Sequence, residues 1–424
     1  MDSISHLPEE IIVKILTFLR TKDVMRTMVL SKRWKSLWIL VPRLEFDEVT
    51  HFFGSESERA TRPDYVKFWR FVDRSLMSRA GQVLQSLYLR LSQYYKYDDV
   101  EIWLGTAVKF GLRELKLQYH SSGIGPCVNS LYTCETLVVL RLESGSLDVP
   151  DHVCLRSLKT LSLVSMSYSN PNALLRLLPN CPVLEDLFLV QRSFLPNALN
   201  YKIIVPSLKR LSLIAPLKLN NVSEVVIDTP LLKSLQIINR SGSLSFSEPM
   251  NNSEVLKANI DVILKRPEKL LHSLASIVHI RLCLSDSEVV YPHGCCFHRL
   301  KYLEVCTCKS EWFLLFMRLL QDSPVLKVIK INQCHPAINP HHHQSNQPVS
   351  VPRCLSSNLE IFEWIKYEGT QHERELSTYI LKTAVFLKKA SFTARSDGYK
   401  EKLQMLQELS FSRRASSTCE LVFN

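Results

Sequence analysis

The sequence predicts an α/β chain in which short parallel strands stack into a curved solenoid, with a three-helix unit ahead of it and a capping module behind. Three observations carry this expectation. An apolar motif, L-x-x-L-x-L, recurs every 21 to 28 residues from Leu84 to Leu326. The first fifty residues lack that motif and break instead into helical patterns. The chain has 424 residues, beyond the ~250 to 300 at which a single hydrophobic core stops growing.

Taken in order, residues 7–38 hold three short helices. Pro8 opens the first, with Glu9 and Glu10 in the turn where the helix dipole favours acid. Its apolar positions Ile11, Ile12, Ile15, Leu16 and Leu19 form a broad stripe at helical spacing. A second helix can start after Thr21, with Val24, Met25, Met28 and Val29 on one side, and a third after Ser31 with Trp34, Leu37 and Trp38. About 40 residues is near the lower limit for independent folding, so part of this apolar surface meets a partner or else shields the open end of the solenoid. The pattern alone leaves both readings open.

The repeats run LQSLYL from Leu84, LRELKL from Leu112, LVVLRL from Leu137, LKTLSL from Leu158, LEDLFL from Leu184 and LKRLSL from Leu208. Later copies start at Leu232, Ile277, Leu300 and Leu326, with a degenerate one at Val255. A period of ~20 to 29 residues with this motif is that of a leucine-rich repeat. The L-x-L portion reads as a strand with alternate residues buried, and no single repeat can bury its own leucines without neighbours. Pro182 and Pro324 stop apolar helical turns just before a strand begins. Beyond residue 350, Leu359, Phe362 and Trp364 read as a further strand, Tyr379 to Lys389 as a helix and Leu387 to Phe392 as the lead into another strand.

Residues 7–38 resemble the F-box of plant F-box/leucine-rich-repeat proteins: the Leu7–Pro8 pair, ILTFL at 15–19, TKDV at 21–24 and VLSKRWKSLW at 29–38. Residues 44–47 and FWRFVDRSL at 68–76 are similar to that family's link into the repeats. The C-terminal stretch resembles the FBD domain through VPRCLSSNLEIFEW from Val351, the acidic EREL segment, YILKTAVFLKK at 379–389 and RRASSTCELVF at 413–423. The resemblance implies an F-box over 1–50, about ten irregular repeats over 51–350 and an FBD domain over 351–424. It further implies a non-catalytic receptor subunit of an SCF-type cullin-RING ubiquitin ligase. A Skp-type adaptor would be gripped by Leu7, Pro8, Ile12, Ile15, Leu16, Leu19, Leu30 and Trp34 and would link the chain to cullin and a RING protein. Ile11, Met28 and Leu37 are expected to pack inside the unit. The rival reading is a repeat scaffold that takes no part in ubiquitin transfer.

A protein target would be recruited by the repeats. The outward positions of the motif hold more bases than acids, with Arg113, Lys116, Lys209, Arg210, Lys327 and Lys330 as candidates for an acidic or phosphorylated segment. The competing account is that these bases only solubilise strand edges.

Composition narrows the remaining classes. The net charge of +11 favours acidic partners weakly. Nucleic acid is not expected, since the sequence has no zinc-finger spacing and no basic run of five. Asp2, Glu9, Glu10 and Lys14 interrupt any secretory core, and no apolar run reaches membrane length, so an intracellular chain of the nucleus or cytoplasm is expected, with no membrane. The 11 glycines form neither a P-loop nor G-x-G-x-x-G, so no cofactor is expected. Of 12 cysteines none stands in C-x-x-C spacing. His293, Cys295, Cys296 and His298 stand close together without that spacing, His341–His343 lie in the PAINPHHHQSNQP segment, which reads as a solvated loop, and Cys306 and Cys308 belong to a repeat strand, so no metal is expected.

Overall fold

In the computed structural model the described residues are 7–48, 62–79, 81–92, 95–120, 129–168, 170–191, 201–215, 223–246, 250, 255–264, 267–284, 296–308, 312–335, 350–396 and 398–424. The chain divides into two compact units, Met1–Leu208 and Lys209–Asn424.

Each copy of the leucine motif becomes a strand because a period of two puts its leucines on one face. In the first unit β1 (Arg43–Asp47) stands ahead of the first copy, and the copies form β2 (Ser86–Ser92), β3 (Glu114–His120), β4 (Val139–Glu143), β5 (Thr160–Val164) and β6 (Asp186–Val190), each strand parallel to the next. The register aligns Leu44, Leu87, Leu115, Leu140, Leu161 and Leu187 in one row. All six are buried. Parallel strands cannot be joined by tight hairpins, so each connection returns over the buried face. Here helices such as α4 (Arg62–Met77) and α5 (Tyr97–Lys109) supply part of that return.

The residues ahead of β1 fold as α1 (Glu9–Leu16), α2 (Thr21–Arg26) and α3 (Trp34–Leu37), with short 3₁₀ turns at Thr27–Val29 and Trp38–Leu40. Ile12, Leu16, Val24, Trp34, Leu37, Trp38 and Val41 make their core. The Glu45 N–H donates to Thr21 Oγ1 at 2.6 Å, which ties α2 to the first strand.

The second unit continues the pattern with β7 (Arg210–Ile214), β8 (Ser234–Asn239), β9 (Lys257–Val262), β10 (His279–Cys283), β11 (Tyr302–Cys306), β12 (Val328–Asn332), β13 (Ile361–Tyr367), β14 (Lys389–Ala394) and β15 (Glu420–Phe423), all parallel. The degenerate copy at Val255 is therefore a full strand. Between β7 and β9 part of the return is itself extended, with Ser223–Asp228 pairing parallel with Leu244–Phe246. The Val- and Ile-bearing SEVVID sequence suits a strand better than a helix.

At residue 350 the ladder does not stop: Val328 pairs with Ile361 and Ile331 with Trp364 across β12 and β13. Large rings take over from leucine here, with Trp364, Tyr367 and Phe392 packed edge to face at 5.2 to 5.3 Å and α6 (Trp312–Gln321) presenting Trp312 to Trp364 at 6.2 Å. One sequence expectation is corrected. The helix expected over 379–389 is α7, Gln371–Thr383, and Lys389 already begins a strand. A further helix, α8 (Tyr399–Ser410), precedes β15. Among the described residues no helix is long and apolar enough to cross a membrane.

Candidate adaptor-docking and target-binding surfaces

The first helix is apolar on more of its circumference than a 40-residue unit can cover. Ile12 and Leu16 form one i, i+4 pair and point into the core, where both are fully buried. Ile11 and Ile15 form the neighbouring pair and stay 44% and 39% exposed. Beyond the helix, Phe18 is 82% and Leu19 42% exposed, and in the second segment Val29 is 87% and Leu30 60% exposed. Pro8 is exposed, and Leu7 rests half-buried against the core.

The eight residues expected at the adaptor surface thus divide. Pro8, Ile15, Leu19 and Leu30 are presented to solvent, Leu7 in part, whereas Ile12, Leu16 and Trp34 are enclosed in the unit's own core. The physical reason is that a three-helix unit this small must spend its best-placed stripe on itself. Ile11, expected inside, is outside. Phe18 and Val29 carried a signal that could have found them: each extends an apolar stripe past the end of a short helix.

The outer face of the ladders is polar and laterally bonded. In the first unit Lys116 Nζ lies 4.6 Å over the Tyr88 ring. Tyr88 Oη donates to Gln118 Oε1 at 2.6 Å, and the Gln118 amide bonds Glu143. In the second unit Glu304 gathers Arg281 Nε at 3.3 Å, Lys330 Nζ at 4.0 Å and the Tyr302 hydroxyl at 3.3 Å. The candidate Lys330 is therefore half-buried and paired.

Arg113, Lys209 and Lys327 occupy a different place, the residue just before the strand. There the carbonyl of one repeat accepts two N–H groups of the next: Arg113 O from Val138 and Val139, Lys209 O from Lys233 and Ser234, Lys327 O from Glu360 and Ile361, all between 2.7 and 3.1 Å. In the second unit this edge carries exposed Lys209, Lys233, Lys301, Lys327 and Lys388, and Arg210 follows it as the exposed first residue of β7. Glu360 sits in the same edge and accepts from Lys327 Nζ and Lys388 Nζ, each at 2.6 Å. These lysines, Lys327 first, hold its carboxyl at about 2. The excess of bases counted along the sequence is thus partly cancelled by acids in neighbouring repeats.

The cysteines behave differently from their spacing. Cys283, Cys306 and Cys308 are brought together with their Sγ atoms within 4.8 Å of one another. Cys296 and His298 lie exposed, apart from this cluster, while His293, Cys295 and His341–His343 fall outside the described residues.

Comparison with known proteins agrees with this layout. The F-box domain model matches residues 4–45, the LRR-repeat model of FBD-associated F-box protein At5g56370 matches 100–259, and the FBD model matches 347–392. FBD-associated F-box protein At5g56380 of Arabidopsis thaliana is 59% identical over 442 residues, covering 100% of both chains. The chain belongs to the plant F-box/FBD/leucine-rich-repeat family. F-box/FBD/LRR-repeat protein At5g56420 of the same organism is 40% identical over 100% of this chain and 99% of its own length, and probable FBD-associated F-box protein At1g32375 is 39% identical over the whole of both. The F-box match covers every exposed apolar residue named above, from Pro8 to Leu30.

Proposed function

We propose that the chain is the substrate-recognition subunit of an SCF-type ubiquitin ligase acting in the nucleus or cytoplasm, with an F-box over 1–50, a curved repeat solenoid over 51–350 and an FBD module over 351–424. The observation that carries this reading is the set of exposed apolar side chains on the F-box: Pro8, Ile11, Ile15, Phe18, Leu19, Val29 and Leu30. Burying a fully exposed one at an interface contributes roughly 1.5 to 3 kcal/mol and a half-exposed one about half as much, and leaving such a patch wet on a small unit is costly. A Skp-type adaptor is the partner that covers it, with Leu7 completing the rim. Ile12, Leu16 and Trp34 act by holding the three helices in register beneath it.

The role in ubiquitin transfer is non-catalytic. Tethering a target beside the charged ubiquitin carrier raises the effective concentration of its lysines. The target side is the repeat ladder, with Lys209 and Arg210, beside Lys233, as the basic site for an acidic segment. Arg113, Lys116, Lys327 and Lys330 extend this basic surface; Lys116 stacks on Tyr88, and Lys327 and Lys330 pair with Glu360 and Glu304.

Co-purification of the full chain with a Skp-type adaptor, cullin and RING protein tests the reading. The expected result is a complex that ubiquitinates the captured target, and loses capture but not the adaptor when Lys209 and Arg210 become Glu. An adaptor complex without cullin would instead support a repeat scaffold outside ubiquitin transfer.

A further inference from the structure

Four cysteines of the second unit, Cys283, Cys306, Cys308 and Cys334, come from three consecutive repeats and from only two repeat positions. Cys283 and Cys306 each stand six residues after the first apolar residue of their repeat, Ile277 and Leu300. Cys308 and Cys334 each stand eight residues after theirs, Leu300 and Leu326. Stacked parallel strands are ~4.8 Å apart, so equivalent side chains in successive repeats meet although 23 and 26 residues separate them in sequence. This is why a search for C-x-x-C spacing finds nothing.

The result is a cluster at the carboxyl ends of β10, β11 and β12. Cys283 and Cys306 are the last residues of their strands. The Sγ atoms of Cys283 and Cys308 are 3.4 Å apart, and those of Cys283, Cys306 and Cys308 all lie within 4.8 Å of one another. Four thiolates around a tetrahedral zinc ion at ~2.3 Å stand ~3.8 Å from one another. Three of the four ligands are therefore set at close to the required separations before any ion arrives. Cys334 packs against the same three, and its own N–H donates to Cys306 Sγ at 3.1 Å.

At Cys334 the surroundings suit thiolate rather than thiol. Besides that N–H, Arg281 Nη2 donates to Cys334 Sγ at 3.3 Å, and such donors to ligand sulfur orient and stabilise a metal–thiolate centre. Cys283, Cys306 and Cys308 are buried and Cys334 is half-buried, so an ion would be shielded on three sides and reached from the fourth. Beside them His335 Nε2 and Asp261 Oδ2 are 2.8 Å apart, and a ring nitrogen of His335 and a carboxylate oxygen of Asp261 lie within 4.8 Å of Cys283 Sγ. The His335–Asp261 bond engages one atom of each, while Asp261 Oδ1 is buried without a hydrogen-bond partner; the four clustered sulfurs are the fuller donor set. An all-sulfur tetrahedral set selects zinc among the abundant divalent ions.

We propose that Cys283, Cys306, Cys308 and Cys334 form a structural zinc site that staples three successive repeats together. The three clustered thiols supply one face of the tetrahedron, and Cys334 closes it by a side-chain rotation. Four thiolate bonds to Zn²⁺ form and the thiol protons pass to solvent. No oxidant is involved.

The test uses the full chain, stripped of metal under a non-chelating reductant and titrated with Co²⁺ and then Zn²⁺. Expected are sulfur-to-cobalt charge transfer and tetrahedral ligand-field bands saturating at one equivalent, displacement by Zn²⁺, and an upward shift in melting temperature on loading. Cys283→Ser with Cys308→Ser should abolish the spectrum, Cys334→Ser should weaken binding at least tenfold, and His335→Ala should leave one equivalent bound. Because losing buried thiols also costs packing, the unmodified chain supplies a second readout. Zn²⁺ should protect these four cysteines from alkylation while exposed Cys296 reacts as before. Absence of the tetrahedral spectrum together with unprotected thiols overturns the proposal. So does a Cys283–Cys308 disulfide that forms in air while Zn²⁺ is present in excess. Loss of binding in His335→Ala but not in Cys334→Ser overturns the all-sulfur assignment. The proposal does not depend on the ligase reading.

Discussion

At the scale of single residues, Ile15 and Leu16 are neighbours in one helix with opposite duties. Leu16 is fully enclosed and Ile15 is 39% exposed, so truncating them should have unlike effects. Leu16→Ala is expected to destabilise the F-box unit by about 2 to 5 kcal/mol through lost transfer energy and a cavity. Ile15→Ala is expected to cost under about 1 kcal/mol in the free chain. Equilibrium unfolding followed by tryptophan fluorescence distinguishes them, and equal losses would contradict the assignment of faces. The sequence showed that both positions are apolar. It could not show which stripe the core would take, because that depends on where Trp34 of the third helix and Trp38 of the turn after it arrive.

Glu360 offers a second residue-scale prediction. Its carboxyl, held at about 2 by Lys327 and then Lys388, lies below its ordinary value of 4.5. A depressed folded value means that the ion pairs stabilise fully above the unfolded value, and that this stabilisation fades as pH falls from about 4.5 toward about 2. Replacing Lys327 and Lys388 with Ala should move the Glu360 titration, followed by NMR, up into the ordinary carboxylate range. No upward movement would show that the lysines are not the cause. Neither pair was legible in the sequence, since Lys327 and Glu360 meet only through the stacking of two repeats.

At the scale of elements, the strands were the most readable part. Every leucine motif from Leu84 to Leu326, the degenerate one included, carries a strand of the ladder, because the L-x-L alternation and the burial it demands say the same thing. The returns were less readable, since their apolar content fits a helix in one repeat and an extended segment in another. The clearest misreading was α7, expected eight residues too far along the chain. The signal that fixes its start is polar: Thr370 Oγ1 accepts from the Glu373 N–H at 3.4 Å while Glu373 Oε2 accepts from the Thr370 N–H at 3.1 Å, a capping box written T-x-x-E. Just before it Gly369 has φ +69°, and a Cβ there would meet Met405 Cγ at 2.9 Å. Thr370→Ala is expected to cost about 1 kcal/mol. Gly369→Ala should cost at least as much, about 1 to 2 kcal/mol from the left-handed backbone alone, with the clash added. Chemical denaturation measures both, and a neutral Gly369→Ala would contradict the close approach of α8.

At the scale of the molecule, the family and the order of its parts were visible in end motifs and in one repeated hydrophobic pattern. What stacking creates was hidden: the acids that neutralise the basic edge, and the thiols that gather from three repeats. Both join residues of different repeats, so they show only when the sequence is read in phase with its repeats. The basic edge should still be felt by an acidic partner, so capture through Lys209 and Arg210 is expected to weaken as salt rises, as screened charge attraction does. Capture indifferent to salt would favour the view that these bases only keep the edge soluble.

The docking of the F-box is the claim on which the rest depends, and the affinity of the full chain for a purified Skp-type adaptor tests it most directly. Ile15→Asp with Leu30→Asp should weaken binding by about 100-fold or more, as expected when central apolar contacts are replaced by charge, while the unfolding midpoint barely moves. Binding within a few-fold of the unaltered chain would contradict the account.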